Sequence, residues 1–414
     1  MADCLYTDQH LVLEEGSCKT RGTNMEFPQQ DEGRLREWTS IEELCDHYFK
    51  TRPSSESLEL LKSLEAQPSE VRSFAERTLW LMKVCRLEPR NVSPAMAWWI
   101  GKLIPPILIG AVKDRVPPIT MEGRHYRIDD YLAKNPWTVL GAGSIVLDMG
   151  CAFPPLTTVD TAARFPAWHV IGVDCAFDDQ MVHDSTRDGD AGPVTRDDAG
   201  LVRDRLADYE RGNLSFIQAS FGEELPKADA VRCMNVLLYY GSGFRAHAES
   251  WLAGILRPGG LFLCGANGWR SVESRYSVYR NEDGRLAARE FAFSLDNVRP
   301  FTGVPWFTLH DGERETWMLA SLVGILRSDE SFRQDYDKRM DRLLDNSHIL
   351  NRGPGGQLTT PPDPIPAQEW RAAYERILGH MEEEGFVDRA VLVLRAAGLR
   401  AWRNVAGHVA IEPQ

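Results

Sequence analysis

An apolar strand that must turn on glycine, two prolines, and a second strand ending in aspartate fall within residues 144–177. No other part of the chain constrains the fold as tightly. Ser144-Ile-Val-Leu-Asp-Met-Gly-Cys-Ala-Phe-Pro-Pro155 opens on an apolar stretch suited to a buried parallel strand. Asp148 and Gly150 stand where such a strand turns, and Gly150 lets backbone come close to a ligand. Pro154-Pro155 predicts the start of a helix, because proline costs nothing where an N–H already lacks a helical partner. Leu156, Val159, Ala163 and Phe165 are its predicted buried stripe. Trp168-His-Val-Ile-Gly-Val-Asp174 reads as a second strand with Asp174 at its carboxyl end. A carboxylate there accepts hydrogen bonds from both hydroxyls of a ribose, so the unit predicts a nucleoside cofactor.

Further motifs follow in order. Ala228-Asp-Ala-Val-Arg-Cys-Met-Asn235 predicts another buried strand, followed by Val-Leu-Leu-Tyr-Tyr240 and a helix from Arg245 to Ile255. Leu256-Arg-Pro-Gly-Gly-Leu-Phe-Leu-Cys264 reads as a turn feeding a fifth strand. The chain closes on a helix over Val387 to Ala397 and two antiparallel strands, Ala397-Gly-Leu-Arg-Ala-Trp402 and His408-Val-Ala-Ile411. Taken together, Val-Leu-Asp-Met-Gly, Ile-Gly-Val-Asp, Ala-Asp-Ala-Val, Leu-Arg-Pro-Gly-Gly and the closing pair resemble the class I S-adenosylmethionine-dependent methyltransferases, over residues 140–268 and 386–411.

The resemblance implies an α/β fold with a Rossmann-like seven-stranded methyltransferase sheet, here with a helical N-terminal region and a mixed hairpin/helical insertion. It implies S-adenosyl-L-methionine as cofactor, held by Asp148, Gly150, Cys151, Ala152, Asp174, Cys175, Ser220 and Asn235. In that family the segment after the fourth strand faces the methyl group, which makes Asn235 and Tyr239 the candidate catalytic residues. Two departures stand out. The family's first loop is usually Asp-x-Gly-x-Gly-x-Gly, and here Ala152 and Pro154 hold the second and third glycine positions. Alanine favours negative φ, so the loop is expected to lie differently against the cofactor. Gln218 and Ser220 stand where an acidic residue often binds the adenine amino group. The run Arg232 to Tyr240, with Leu256 to Gly265, is also similar to the chemotaxis receptor methyltransferases, which methylate receptor glutamates. Met234 replaces their Arg before Asn235, and Ala266-Asn267-Gly268 replaces their Gly-His-Ser-Glu ending.

Charge and cysteine usage exclude some classes. A net charge of −13 argues against a nucleic-acid substrate, since phosphate binding needs a basic footprint. The eight cysteines include no Cys-x-x-Cys. Cys151, Cys175, Cys233 and Cys264 each fall near the carboxyl end of a predicted strand, where they read as small hydrophobes, and no metal is expected. Residues 1–34 show no charged-then-apolar leader, which gives a cytoplasmic expectation. The apolar segment Ala95 to Val112 contains Lys102 and Pro105-Pro106 and reads as a buried helix or interface, so no membrane is expected as a partner.

At 414 residues the chain is comfortable for more than one domain. Residues 1–34 read as a flexible arm, 35–135 as a helical region with a connector, and 136–268 as the core. Residues 269–368 form an insertion expected to cover the acceptor site, and 369–414 return the last helices and strands. Within the insertion, Arg275 to Ser294 alternates aromatics around Glu-Asp-Gly, a hairpin pattern, and helices are expected over Glu313–Arg327 and Glu330–Asn346. Tyr276, Tyr279, Phe291, Phe293, Trp306, Phe307 and Trp317 either line an apolar acceptor pocket or form the insertion's own core.

Methyl transfer from an activated sulfonium needs in-line placement, and a base only when the acceptor must lose a proton. His183, His247, His310 and His348 are candidates by position, and no spacing selects one. Asn235 either binds the acceptor or caps the turn after its strand. The expected function is methyl transfer to a small-molecule acceptor by in-line displacement. A protein carboxyl methyltransferase and a catalytically silent scaffold are the alternatives, and the oligomeric state is open. A nicotinamide oxidoreductase fits least, because Gly-x-Gly-x-x-Gly is absent.

Overall fold

A computed structural model describes residues 59, 62, 120–175, 206–239, 242–268, 272–298, 314–349, 351–352, 358–359 and 366–413. The arm at 1–34, the segment 95–112, His183, His310, Trp306 and Phe307 lie outside the described residues, as does nearly all of 35–119.

Five strands run parallel in the order β3-β2-β1-β4-β5: Leu214–Gln218, His169–Asp174, Ile145–Met149, Ala228–Met234 and Leu256–Asn267. This is the doubly wound order, and its direction reverses between β1 and β4. The sheet is Rossmann-like. Alternation along the strands sends side chains to two covered faces, as parallel sheets require. On one face Val146, Val170, Ala230 and Leu261 pack with Ile128, Tyr131 and Leu132 of α1 (Tyr126–Lys134) and Ala162 of α2 (Leu156–Arg164). On the other, Leu147, Ile171, Val231 and Phe262 pack with Ala248, Leu252 and Ile255 of α3 (Ser242–Ile255).

Among the described residues the sheet has nine strands, not seven. The hairpin of the insertion, β6 (Ser274–Glu282) and β7 (Arg285–Phe293), adds to the edge of β5 in antiparallel fashion. Its two-residue turn, Asp283-Gly284, has both residues at positive φ, 52° and 82°, the conformation that Asp-Gly supplies. The closing pair, β10 (Ala401–Arg403) and β11 (Val409–Ile411), is antiparallel as expected, and β11 docks on β7. Seven residues of β6, Ser274 to Arg280, pair with the β5 edge and satisfy a row of backbone groups that would otherwise stay open. The four described aromatics of the hairpin belong to the core. Tyr276, Phe291 and Phe293 are fully buried, and Tyr279 stacks on Phe262.

Helices α4 (Arg314–Ser328) and α5 (Glu330–Ser347) match their predicted spans within a residue. After the short β8 (Asn351–Arg352) and β9 (Leu358–Thr359), α6 (Ala367–Glu383) and α7 (Phe386–Ala396) lead into the closing strands. The predicted stripe of α2 is met only in part: Val159 and Phe165 pack half-buried against the core. Its buried residues are Thr157, Thr158, Thr161 and Ala162, while Ala163 is exposed and Leu156 and Val159 only half-buried. The reason is a buried arginine, and it shapes the site.

Candidate active site

Arg232 lies on β4 with its side chain 1% exposed. A guanidinium out of water needs charge and hydrogen-bond partners, and several elements supply them. From β1, the Asp148 carboxylate accepts from Arg232 Nε at 2.9 Å and Nη2 at 2.5 Å. From α1, Asp129 accepts from Nη1 at 2.6 Å. From α2, the Thr161 hydroxyl accepts from Nη1 at 2.9 Å, Thr158 donates to Asp148 at 2.7 Å, and Thr161 donates to Asp129. The fully buried face of α2 therefore carries hydroxyls, and the predicted aliphatic positions fall on another face. Burial pushes the Asp129 carboxyl up to about 7, against the pull of Arg232. The same two carboxylates outweigh desolvation at Arg232 and hold its pKa above the ordinary value. Asp148, predicted to bind cofactor, is 3% exposed and occupied by this ion pair. It fixes the end of β1 from beneath.

Above the pair, the chain leaves β1 through Gly150, at φ +71°, with its N–H and that of Cys151 donating to Val173 O. Glycine is required here on two counts. The φ is left-handed, and a Cβ would stand 2.3 Å from Val236 Cγ2, in the turn after β4. Ala152, expected at negative φ, sits at +57°. A hydrogen bond accompanies that conformation: its N–H donates to Asp174 Oδ2 at 2.9 Å, orienting the carboxylate at the end of β2. Asp174 is 8% exposed. Cys151 is buried beside it, and burial, with the Asp174 and Asp148 charges, pushes its thiol well up, so it stays neutral. Cys175 is exposed just past β2, and Ser220 is exposed past β3, its N–H donating to Glu223 Oε2.

Across the reversal point, Asn235 follows β4 at φ +61°. Its N–H donates to Gly265 O at 2.8 Å, and its Oδ1 accepts from the Asn267 N–H at 2.9 Å. The side chain thus ties the end of β4 to the last residue of β5. Tyr239 ends a 3-10 turn, Leu237–Tyr239, and its side chain is outside the described residues. The turns after β1, β2 and β4 bring Gly150, Ala152, Asp174 and Asn235 to one end of the sheet.

Sequence reading missed the connector's part in this end. Arg124 clamps the exit of β5, donating from Nε to Asn267 Oδ1 at 3.0 Å and from Nη2 to Asn267 O at 2.5 Å. Arg371 of α6 in turn donates to Arg124 O at 3.1 Å. His125, the N-cap of α1, is 6% exposed, and neither ring nitrogen has a hydrogen-bond partner among the described residues. Burial, then the charges of Arg232, Arg124 and Arg371, hold its pKa well down, so the imidazole is neutral. One signal was available: an arginine inside the apolar strand Ala228–Met234 demands acids on its neighbours. Nothing in the spacing marked His125.

No family model and no curated protein matches the chain. Among solved structures it is similar to PKMT2 from Rickettsia typhi, solved with AdoHcy, at 19% identity and TM-score 0.26, over 36% of this chain and 26% of that one. A second is magnesium protoporphyrin IX methyltransferase from Synechocystis PCC 6803, solved with SAH. There identity is 18% and TM-score 0.22, over 33% of this chain and 51% of the other. An O-methyltransferase family 2 protein from Planctomyces limnophilus DSM 3776, solved with apigenin, gives 14% and 0.31, over 55% and 77%. The chain spans only 26% and 51% of the first two. Overlaps of this size carry no inference about ligand or chemistry, and the fold stands on the strand order above.

Proposed function

We propose that the chain is an S-adenosylmethionine-dependent methyltransferase acting on a small-molecule acceptor by in-line displacement. The observation that carries this reading is the Asp174 carboxylate, oriented by the Ala152 N–H at the end of β2, beside the turns that follow β1 and β4. Ligands of open α/β sheets bind outside the carboxyl ends of the strands, where the order reverses. The donor set fits a ribose, because a fixed carboxylate accepts from two hydroxyls. Bound there, the cofactor supplies an activated sulfonium methyl. The chain's part is to bind and orient. Asp174 would hold the ribose, Gly150 and Ala152 set the path of the loop, and Asn235 fixes the turn that faces the acceptor. The net charge of −13 supports an acceptor other than nucleic acid. The free thiols of Cys151, Cys175, Cys233 and Cys264 support a cytoplasmic setting. In this reading the insertion beyond its hairpin covers the acceptor, and Glu315 of α4, bonded to Arg245 and Ser277, supports its anchorage on the core.

A second reading, a silent scaffold, is favoured by Val236, whose methyl group fills the space that Gly150 opens. Calorimetric titration with S-adenosylmethionine, S-adenosylhomocysteine and NAD separates the two. Micromolar binding of the sulfur nucleosides, none of NAD, and a loss of about tenfold or more in Asp174→Ala is the expected result. Absence of binding to either sulfur nucleoside would leave the scaffold reading.

A further inference from the structure

Asn267 closes β5, is 5% exposed, and has a partner for every polar atom it carries. Its backbone N–H donates to Asn235 Oδ1 at 2.9 Å. Its backbone carbonyl accepts from Arg124 Nη2 at 2.5 Å, and its Oδ1 accepts from Arg124 Nε at 3.0 Å. Its amide nitrogen donates to the Arg124 carbonyl at 3.2 Å and to Ser274 Oγ at 3.0 Å. One buried residue thus joins the connector, β6 and the turn after β4. Asn235, at the other end of the tie, is only half-buried, and its φ of +61° is left-handed. Asparagine tolerates that conformation, which persists only where the surroundings hold it. Two bonds from the end of β5 do so, to Gly265 O and from the Asn267 N–H. The next residue, Val236, backs the Gly150 loop so closely that a Cβ on Gly150 would stand 2.3 Å from its Cγ2. Two residues beyond Gly150, the Ala152 N–H aims the Asp174 carboxylate.

We propose that Asn267, clamped by Arg124, is a positioning residue for nucleoside binding: it holds Asn235 in its left-handed turn, and through Val236 it keeps the Gly150 loop set for Asp174. This rests on the methyltransferase reading and adds to it a part for the connector, whose Arg124 lies 143 residues before Asn267 in the chain. A carboxylate contributes most to binding a ribose when it is already fixed where the hydroxyls arrive, because ordering at the moment of binding costs affinity. Neither Asn267 nor Arg124 has to touch the nucleoside for this. An arginine suits the clamp because its planar fork meets two acceptors at once, here the side-chain and backbone oxygens of one asparagine, whereas a lysine offers a single point charge. Without the Asn235 Oδ1 bond, only the backbone bond to Gly265 O would tie Asn235 to β5, and Val236 would lose its fixed seat against Gly150.

The test titrates S-adenosylhomocysteine onto the full chain by calorimetry and follows urea unfolding of the same proteins. Asn235→Gly keeps the left-handed φ but removes Oδ1, and is expected to weaken the nucleoside about fivefold or more. Asn235→Asp keeps an acceptor oxygen and tolerates the same φ, so its affinity is expected to stay within about twofold of the parent. Arg124→Lys breaks the fork, is expected to weaken binding in the same sense, and serves if Asn235→Gly does not fold. A merely structural tie would lower the urea midpoint and leave the affinity of the folded protein at the parent value. Unchanged affinity in both Asn235→Gly and Arg124→Lys therefore overturns the proposal and leaves the methyltransferase reading standing. So does an Asn235→Asp variant as weak as Asn235→Gly, because the Asn235 amide would then contact the nucleoside itself. The reading fails separately: a parent chain that binds no S-adenosylhomocysteine sinks it, and the proposal with it.

Discussion

Two arginines are buried on opposite faces of the same sheet, and their surroundings differ in kind. Arg232 shares two carboxylates, Asp148 and Asp129, with a wall of threonine hydroxyls, and Arg164 approaches Asp129 from the surface at 3.7 Å. Arg245 on α3 meets Glu315 of α4 in a two-point pair, both contacts at 2.6 Å, with Glu249 at 3.1 Å as a second acid nearer the surface. Around that pair Ser277 donates to Glu315 at 2.6 Å, and the Cys264 thiol, its pKa raised by burial and by Glu315, lies 3.3 Å from Arg245 Nη2. The first cluster joins β1, β4, α1 and α2, the elements that build the candidate site. The second joins the insertion to the core. The difference teaches that one buried cation aligns a binding edge, whereas the other fastens the insertion to the core.

Arg232→Leu should break the first cluster, since it leaves Asp148 buried without its guanidinium partner and Asp129 with only Arg164, at 3.7 Å. A loss of about 3–5 kcal/mol is expected, read from urea unfolding. A loss under about 1 kcal/mol would mean the carboxylates simply take up protons, and the contrast would fall. Glu315→Leu should do less, because Arg245 keeps Glu249; about 3 kcal/mol, the lower end of that range, is expected. An effect equal to that of Arg232→Leu would erase the distinction between aligner and fastener. The smallest effect tests the buried Asp129. Asp129 titrates at about 7 in the fold against an ordinary 3.8, so the native state holds more protons between those values. Its contribution to stability is therefore greatest at low pH and is lost as pH rises towards 7. Urea midpoints at about pH 5 and about pH 7.5 should show a fall in the parent chain that Asp129→Asn lacks. Equal falls in both would show that Arg232 keeps Asp129 ionised throughout.

Periodicity and turn chemistry carried most of the fold. The β1–α2–β2 unit, the Asp283-Gly284 hairpin and helices α4, α5 and α7 all lie within a residue or two of their expected spans. What failed did so where a distant partner decided. Leu156, Val159 and Ala163 look like the buried face of α2, but Arg232 draws the threonine face, Thr157, Thr158 and Thr161, inward instead. The strand count failed because alternation marks a hairpin but not the edge it joins. In the candidate site, Asp174 and Asn235 fall at strand ends that the sequence pattern marks directly. Asp148 turned inward because its partner is 84 residues away, and His125 was invisible because its surroundings come from Arg232 and Arg371, far along the chain.

The hairpin also has a consequence in parity. It inserts two strands between β5 and β11, and each antiparallel step reverses direction once. Two reversals cancel, so β11 runs opposite to β5, as it would if it paired with β5 directly. A graft of one strand or three would have flipped the closing pair and moved α7 to the other end of the sheet. An even-numbered addition widens the molecule sideways while leaving the polarity of every other element untouched.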